Sequence, residues 1–188
     1  EALLRTLGNH LPDGALYQFV FDPDGKFHLT YLSDGVGRVW GVSRIEALAR
    51  PESIFDTMVD EDHARYQAAI QQADQALTGL NLDRRRRTSQ GELRWSNLRA
   101  SLLRMPGGQV VLDGIELDIT DRKRVEEQLR LQGVALESAA NAIVITNREG
   151  KIVWGNAALT RLTGYTLDQA LGRTPSLFKS GDHDADFY

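Results

Sequence analysis

Two short runs of alternating apolar and polar residues open the readable part of the chain and flank the turn sequence DPDG. Because side chains on a strand point alternately to its two faces, these runs predict strands at about 15 to 22 and 26 to 33, joined as a hairpin. Tyr17, Phe19 and Phe21 then share one face of the first strand. We expect that face to line the core.

The stretch after the hairpin predicts helices. From Asp34 to Met58, glycines and a proline divide the chain into short helical turns, with Ser43 placed to cap one of them. A longer helix is predicted from about 61 to 77, because its apolar residues recur with helical spacing. The acidic group at 60–62 suits the positive end of that helix's dipole.

Three further strands are predicted at about 80 to 88, 93 to 105 and 109 to 119, separated by the turn sequences SQG and PGG. The order of two strands, short helices, one longer helix and three strands is typical of an α+β fold with an antiparallel sheet and helices on one face. We therefore predict a closed five-stranded sheet between about Leu16 and Thr120.

The hydrophobic period changes after the fifth strand, where Thr120 can cap a helix. Val125, Leu129 and Leu136 fall on one seam of this helix, a heptad-like pattern that Gln132 interrupts. Two interpretations stay open for the seam. It contacts a second copy of the chain, or it belongs to an ordinary linker helix packed on its own domain. The alternative surface for a dimer is the apolar group Leu3, Leu4 and Leu7 near the start of the sequence.

Residues 142–172 repeat the hairpin and the short-helix section. The aligned positions are Ser33, Gly41, Ser43 and Leu48 with Asn156, Gly164, Thr166 and Leu171. Such a duplication predicts two related modules, of which the second lacks the longer helix and the last three strands, so we expect the chain to be part of a longer protein. The predicted organisation is an N-terminal helix at 1–13, a first domain at 14–120, a linker helix at 121–138 and the N-terminal part of a second domain at 139–188.

Composition then narrows the functional classes. The chain has no cysteine, which excludes disulfides, thiolate zinc sites and light-driven cysteinyl adducts to a flavin. The net charge of -4 gives nucleic-acid binding little support. No apolar run approaches the roughly 20 residues of a membrane span, so we expect a cytoplasmic location without membrane contact in this fragment.

Four segments resemble the PAS family of sensory domains: DPDGKF, SQGELRW, GIELDITDRKRVEEQL and REGKIVWGNAALTRLTGYT. The resemblance implies the strand order 2-1-5-4-3, with helices enclosing a pocket that can hold a small ligand or cofactor. It also implies an output domain farther along the same chain, most often the histidine kinase of a two-component system, or a cyclic-dinucleotide enzyme such as a diguanylate cyclase or phosphodiesterase. The tail KSGDHDADFY is similar to PAS modules that precede cyclic-dinucleotide enzymes.

Eight residues are predicted to line the ligand pocket: Tyr17, Phe19, Phe21, His28, Arg84, Arg86, Leu112 and Gly114. The face of His28 is not fixed, because its neighbours on the second strand compete with it for the core. Gly114 lies inside a strand, which indicates either the close approach of a ligand or another backbone, or a bulge.

The run of four arginines at 84–87 is the longest basic run in the sequence. On a strand, Arg84 and Arg86 lie on one face, while Arg85 and Arg87 point the other way. A solvated strand face is the favoured interpretation. The alternative is that one of these arginines reaches into the pocket and pairs with an anionic ligand, because buried cations need partners.

Asp118, Thr120 and Arg122 resemble the PAS family's junction motif, in which a carboxylate and a capping hydroxyl fix the last strand to the exit helix. A threonine at the helix start satisfies an unpaired backbone donor, and an acid there is favoured by the helix dipole. We expect this junction to pass a change in the sheet to the helix. The alternative is a helix cap without a signalling role.

The sequence does not identify a cofactor, and a flavin or an empty pocket is favoured over haem. Charged residues flank His63 in the sequence DEDHAR and would hinder an apolar haem pocket. Trp40, Trp95 and Trp154 are expected in packing rather than against a cofactor. No metal site and no catalytic residue are predicted.

Two functions follow from these patterns. The first is a sensory module that binds a small ligand, forms a homodimer and signals to the downstream output domain. The second is a ligand-free interaction module, whose pocket is filled by its own aromatic side chains and which serves to dimerise and align the output. An autonomous enzyme is not expected, because the sequence motifs of hydrolases, zinc proteases and phosphate-binding loops are missing.

Overall fold

The computed structural model describes residue 6 and residues 8–76, 78–88 and 90–179. By its internal contacts the chain divides into two compact units, Glu1–Lys123 and Arg124–Tyr188. None of the helices in the described part is both long and apolar enough to cross a bilayer.

An antiparallel sheet of five strands forms the frame of the first unit, in the order β2-β1-β5-β4-β3. The strands are β1 (Gly14–Phe21), β2 (Phe27–Leu32), β3 (Leu80–Arg87), β4 (Leu93–Arg104) and β5 (Val110–Asp118). The predicted α+β class, the five strands and their order are confirmed. Alternation and turn residues located these strands well, because each has a buried face and a clear turn at its end.

Four helices separate β2 from β3 in the first unit: α1 (Val36–Trp40), α2 (Arg44–Ala49), α3 (Ser53–Asp56) and α4 (Asp60–Ala76). Ser43 caps α2 as predicted, since its hydroxyl accepts a hydrogen bond from the backbone N–H of Glu46 at 3.1 Å. The acidic group predicted at the start of the longer helix forms the first turn of α4.

The core of the first unit lies between these helices and one face of the sheet. Tyr17 and Phe19 are buried there, and Phe21 is partly buried and packs against the same cluster. The ring of Tyr17 lies 5.0 Å from that of Trp40 on α1. The predicted aromatic face of β1 is therefore confirmed.

The second unit contains most of the linker helix α5 (Thr120–Ser138), which begins in the first unit. Further along are β6 (Val144–Thr146), β7 (Ile152–Gly155), α6 (Ala157–Thr163), α7 (Leu167–Ala170) and a short 3-10 helix (Pro175–Phe178). Strands β6 and β7 form an antiparallel hairpin, and Ile152, Leu159 and Ala170 form the buried core.

Aligned positions in the two units have the same local structure. Gly41 and Gly164 each end a helix in the left-handed conformation, at φ 72° and 77°, where a residue without Cβ is favoured. Ser43 and Thr166 each cap the next helix with the side-chain hydroxyl. The domain boundaries expected from the repeat stay predictions.

The expected N-terminal helix at 1–13 falls partly outside the described residues. Gly8 and Asn9 are helical, whereas Leu3, Leu4 and Leu7, the alternative dimer surface, lie outside the described part.

Candidate functional site

A buried carboxylate is the centre of the candidate site in the first unit. Glu116 on β5 is fully buried and accepts a hydrogen bond from Nε of Arg84 at 2.8 Å, and a second, short one from Nη2 of the same guanidinium. Trp40 on α1 donates its indole N–H to this carboxylate at 2.7 Å, and Ser96 on β4 donates its hydroxyl. The site therefore joins three neighbouring strands to the first helix.

A second buried guanidinium shares the same carboxylate. Nε of Arg86 lies 3.4 Å from Oε1 of Glu116, and Nη1 of Arg86 donates to the carbonyl of Ile54 and to the hydroxyl of Thr57. The guanidinium lies 5.8 Å from the centre of the Trp40 ring, within the range of a cation–π contact. Arg86 therefore links the sheet to helix α3.

All three ionisable groups are charged at neutral pH. Burial alone would raise the pKa of Glu116, but Arg84 and Arg86 lower it far below its ordinary value. Burial would lower the pKa of Arg84, yet the adjacent Glu116 raises it above its ordinary value. Burial and the like charge of Arg84 lower the pKa of Arg86 to about 10, so that it stays protonated. We define Arg84, Arg86 and Glu116 as the buried charge cluster.

The arginine run corrects one expectation from the sequence. The alternation itself is confirmed, but the favoured solvated face is wrong for Arg84 and Arg86, which are each only 2% exposed. Arg87 is exposed, and Arg85 bonds to the carboxylate of Asp62 on α4. Two arginines can be buried here because β5 brings Glu116 between them.

The apolar residues predicted for the pocket lie around this cluster in a packed interior. Tyr17, Phe19 and Leu112 are all buried in the core of the first unit. A Cβ on Gly114 would lie 2.4 Å from the Tyr17 ring, closer than real Cβ atoms approach other atoms. Close approach therefore explains Gly114, and the group that approaches is an aromatic side chain of the protein itself.

Two histidines were weighed from the sequence, and neither lies in the core. The placement of His28 in the pocket is wrong, because its side chain is 51% exposed and lies 3.5 Å from the carboxylate of Asp22. Phe27 and Leu29 on either side of it take the inward positions of β2. His63 lies partly exposed near the start of α4.

The junction between the sheet and the linker helix uses Asp118 and Thr120, with roles that differ from the prediction. The carboxylate of Asp118 accepts the backbone N–H of Thr120 at 2.8 Å, so the aspartate holds the first residue of α5. The Thr120 hydroxyl accepts the backbone N–H of Trp95 on β4 at 3.0 Å. The predicted cap by Thr120 is therefore wrong in its partner, since this hydroxyl fastens the helix start to a strand.

Arg122 contributes less to the junction than the residue that follows it. Its guanidinium is 63% exposed and lies 3.8 Å from Asp83 on β3, whereas Nζ of Lys123 lies 2.9 Å from the same carboxylate. Burial alone would raise the pKa of Asp83, but Lys123 and Asn97 lower it below its ordinary value. A cation in the first turn of α5 is therefore paired with the edge strand of the sheet.

Sequence reasoning missed two buried acids. Glu116 follows Leu112 and Gly114 with a period of two on β5, so its inward position could have been found from alternation. Asp62 is 3% exposed and accepts the backbone N–H of Arg85 at 2.6 Å, which fastens α4 to β3. The residues around Asp62 on α4 did not indicate that it is buried, because its contact with Arg85 depends on where β3 lies.

Comparison with protein families gives two matches, each to a model described as PAS fold, over residues 29–115 and 134–188. A curated relative, sensor protein FixL of Bradyrhizobium diazoefficiens, is 28% identical over 122 residues. That alignment covers 62% of this chain and 24% of the relative, so the chain spans about a quarter of the relative's length.

Solved structures give the same fold. A sensory box histidine kinase/response regulator from Burkholderia thailandensis superposes with a TM-score of 0.53 at 24% identity, over 73% of this chain and 98% of that one. A PAS domain from Colwellia psychrerythraea superposes with a TM-score of 0.50 at 17% identity, over 64% of this chain and 97% of that one. At these identities the likeness shows the fold alone.

Proposed function

Because this chain belongs to the PAS family of sensory domains, we propose that its first unit is the signal-input module of a larger signalling protein. In this proposal a small ligand acts on the buried charge cluster, and the resulting change passes through the start of α5 to a downstream output domain. A histidine kinase or a diguanylate cyclase is the output we expect.

The observation that carries this proposal is the short path from the cluster to the linker helix. Glu116 and Asp118 lie two residues apart on β5; the carboxylate of Glu116 bonds to the buried arginines, and that of Asp118 accepts the backbone N–H of Thr120, the first residue of α5. A shift of β5 that follows a change at Glu116 therefore also moves the group that fixes the helix.

A second path runs through β4. Ser96 donates its hydroxyl to Glu116, and the adjacent Trp95 donates its backbone N–H to the Thr120 hydroxyl and accepts the backbone N–H of Ile119. The cluster and the helix start thus share contacts on two adjacent strands. Two sites are coupled only when both bias the same element, and β4 and β5 are the elements that we propose for this role.

A ligand-free interaction module is the second candidate, and the packing of the interior favours it. The rings of Tyr17, Phe19 and Trp40 lie within 6.5 Å of one another by their centroids. In this alternative the aromatic side chains of the first unit occupy the space that a ligand would need, and the module serves only to dimerise and to align the output.

The remaining expectations stay predictions under either candidate. We propose that this fragment catalyses no reaction and that it works in the cytoplasm without nucleic acid. The homodimer is expected along α5, where Val125, Leu129 and Leu136 are 57%, 63% and 40% exposed. Flavin, another small ligand and an empty interior remain the alternatives for the pocket.

The test is the double variant Asp118→Ala/Thr120→Ala, placed in the full-length protein. We expect the output to lose its response to signal, while the core keeps its stability to within the cost of a lost cap, about 0.5–2 kcal/mol. In this chain, hydrogen exchange should rise in the first turn of α5 and stay unchanged in β1 and β5.

A matched control is Thr30→Ala/Asp113→Ala, which removes the same two residue types from exposed positions on the same sheet. This control should keep a normal response. A normal response in the junction variant would show that the signal leaves by another route. The junction would then be a structural contact without a role in signal transfer.

A further inference from the structure

The buried charge cluster carries more positive than negative charge. Arg84 and Arg86 are both buried, and Glu116 is the carboxylate that each of them contacts. The phenols of Tyr17 and Tyr66 do not compensate, because burial raises the pKa of both and keeps them neutral. One positive charge is therefore left without a counter-charge in the cluster.

The same two arginines also carry unused hydrogen-bond donors. Among the described residues, three buried side-chain atoms have no hydrogen-bond partner, and two of them are Nη1 of Arg84 and Nη2 of Arg86. The third is the hydroxyl of Ser53, next to Ile54, whose carbonyl accepts a hydrogen bond from Arg86. Buried charged donors are normally paired, so two unused ones beside an uncompensated charge indicate a missing acceptor.

We propose that the first unit binds a small monocarboxylate anion against Nη1 of Arg84 and Nη2 of Arg86, while Glu116 holds the two guanidinium groups in place. This inference rests on the proposed sensory function and names the class of its ligand. One negative charge makes the cluster neutral, whereas a phosphate dianion would reverse its sign. A carboxylate offers two acceptor oxygens, and charge-assisted bonds to guanidinium groups are the strong ones.

The surrounding side chains limit the size of this anion. The Tyr66 ring lies 5.0 Å from the Arg84 guanidinium, and the Trp40 ring lies 5.8 Å from that of Arg86. With these rings and the packed core around the cluster, an acid of the size of formate or acetate fits better than a large one. Helix α3 has four residues, and the Ile54 carbonyl on it accepts a hydrogen bond from Arg86, so we expect this segment to open most easily to admit the anion.

The experiment uses the whole 188-residue chain with sodium acetate and sodium formate as probes, against sodium chloride at equal ionic strength and pH. We expect the unfolding midpoint of the first unit to rise by about 5 °C at tenfold excess over the dissociation constant. Isothermal titration calorimetry with acetate should give one site per chain. Chloride should produce neither effect.

The variant Arg86→Met removes the excess charge with a side chain of similar length. It should fold, because Arg84 and Glu116 then balance, and it should lose the acetate response entirely. The control Arg87→Met, at an exposed position on the same strand, should keep the full response. If Arg86→Met fails to fold, the calorimetric titration of the unaltered chain still decides whether acetate binds.

Three results would overturn the inference: no acetate binding by the unaltered chain, an equal response to chloride, or a full acetate response in Arg86→Met. None of them bears on the junction test, because the Asp118→Ala/Thr120→Ala variant reports on signal transfer. That double variant should bind acetate normally. Failure of the anion site and failure of the sensory function are therefore distinguishable.

Discussion

The two units differ in the kind of polar group that they bury. The first unit buries three charges together in its interior, Arg84, Arg86 and Glu116. In the described part of the second unit the core is apolar, and Asn156 is the buried polar residue. In the first unit a charge cluster joins strands to a helix, and in the second unit one amide bonds to the backbone at Ile143 and at the start of α6.

One side-chain hydrogen bond occurs at the same aligned position in both units. Ser33 and Asn156 are aligned residues, and each accepts a hydrogen bond from the backbone N–H of a residue in the first strand region, Leu16 and Ile143 respectively, both at 2.9 Å. Asn156 also donates to the carbonyls of Leu136 and Asn141. The amide of Asn156 thus accepts one backbone N–H, as the hydroxyl of Ser33 does, and also donates to a carbonyl at the end of α5.

The largest effect is expected in the first unit for Glu116→Ala. This change leaves two buried guanidinium groups without a carboxylate, and breaking such a buried pair costs about 3–5 kcal/mol. Hydrogen exchange should show lower protection across β1, β4 and β5 and unchanged protection in β6 and β7. The control Asp113→Ala removes an exposed acid from the same strand and should cost under about 1 kcal/mol. Equal stability of Glu116→Ala and Asp113→Ala would contradict the role given to the cluster.

A smaller effect is expected in the second unit for Asn156→Ala. Its side chain caps α6 and bonds to the backbone of Asn141 and Ile143, just before β6, so its removal leaves buried groups unpaired at a cost of about 1–3 kcal/mol. Hydrogen exchange should rise at the end of α5 and in α6, and the first unit should be unaffected.

The matched control for this prediction is Ser33→Ala, which removes one hydrogen bond at the aligned position of the first unit. We expect it to cost about 1 kcal/mol, less than Asn156→Ala. A larger effect of Ser33→Ala would reverse the comparison between the two units.

The smallest effect on stability is expected for Leu129→Lys, which changes the exposed seam of α5 and leaves the interiors of both units intact. Leu129 is 63% exposed on α5, so the free energy of unfolding should change by no more than about 0.5 kcal/mol. If the seam forms a homodimer, sedimentation should show the variant as a monomer and the unaltered chain as a dimer. Gln128→Lys, which adds the same charge beside the seam, should leave the dimer intact. A monomeric unaltered chain at high concentration would contradict the dimer prediction.

The candidate site was predicted less completely than the fold. Alternation placed Arg84 and Arg86 on one face of β3, yet the solvated interpretation failed, because the partner that makes their burial possible lies 32 and 30 residues farther along the chain, respectively. The same rule could have placed Glu116 inside, but it gave no reason to bury a charge there. For Thr120, the residue and its place at the start of the helix were expected, whereas its partner, Trp95, depends on the pairing of β4 with β5.

The sequence by itself determined the order of the elements, the inward face of β1 and the caps that recur in the two units, because each of these depends on neighbours within a few residues. The tertiary structure decided which side chains meet. Tyr17 covers Gly114, and Arg84 and Arg86 share Glu116, because β5 lies between β1 and β4 in the sheet. Hydrophobic periodicity indicates which face of a strand is buried, whereas the strand order determines which side chains meet on that face.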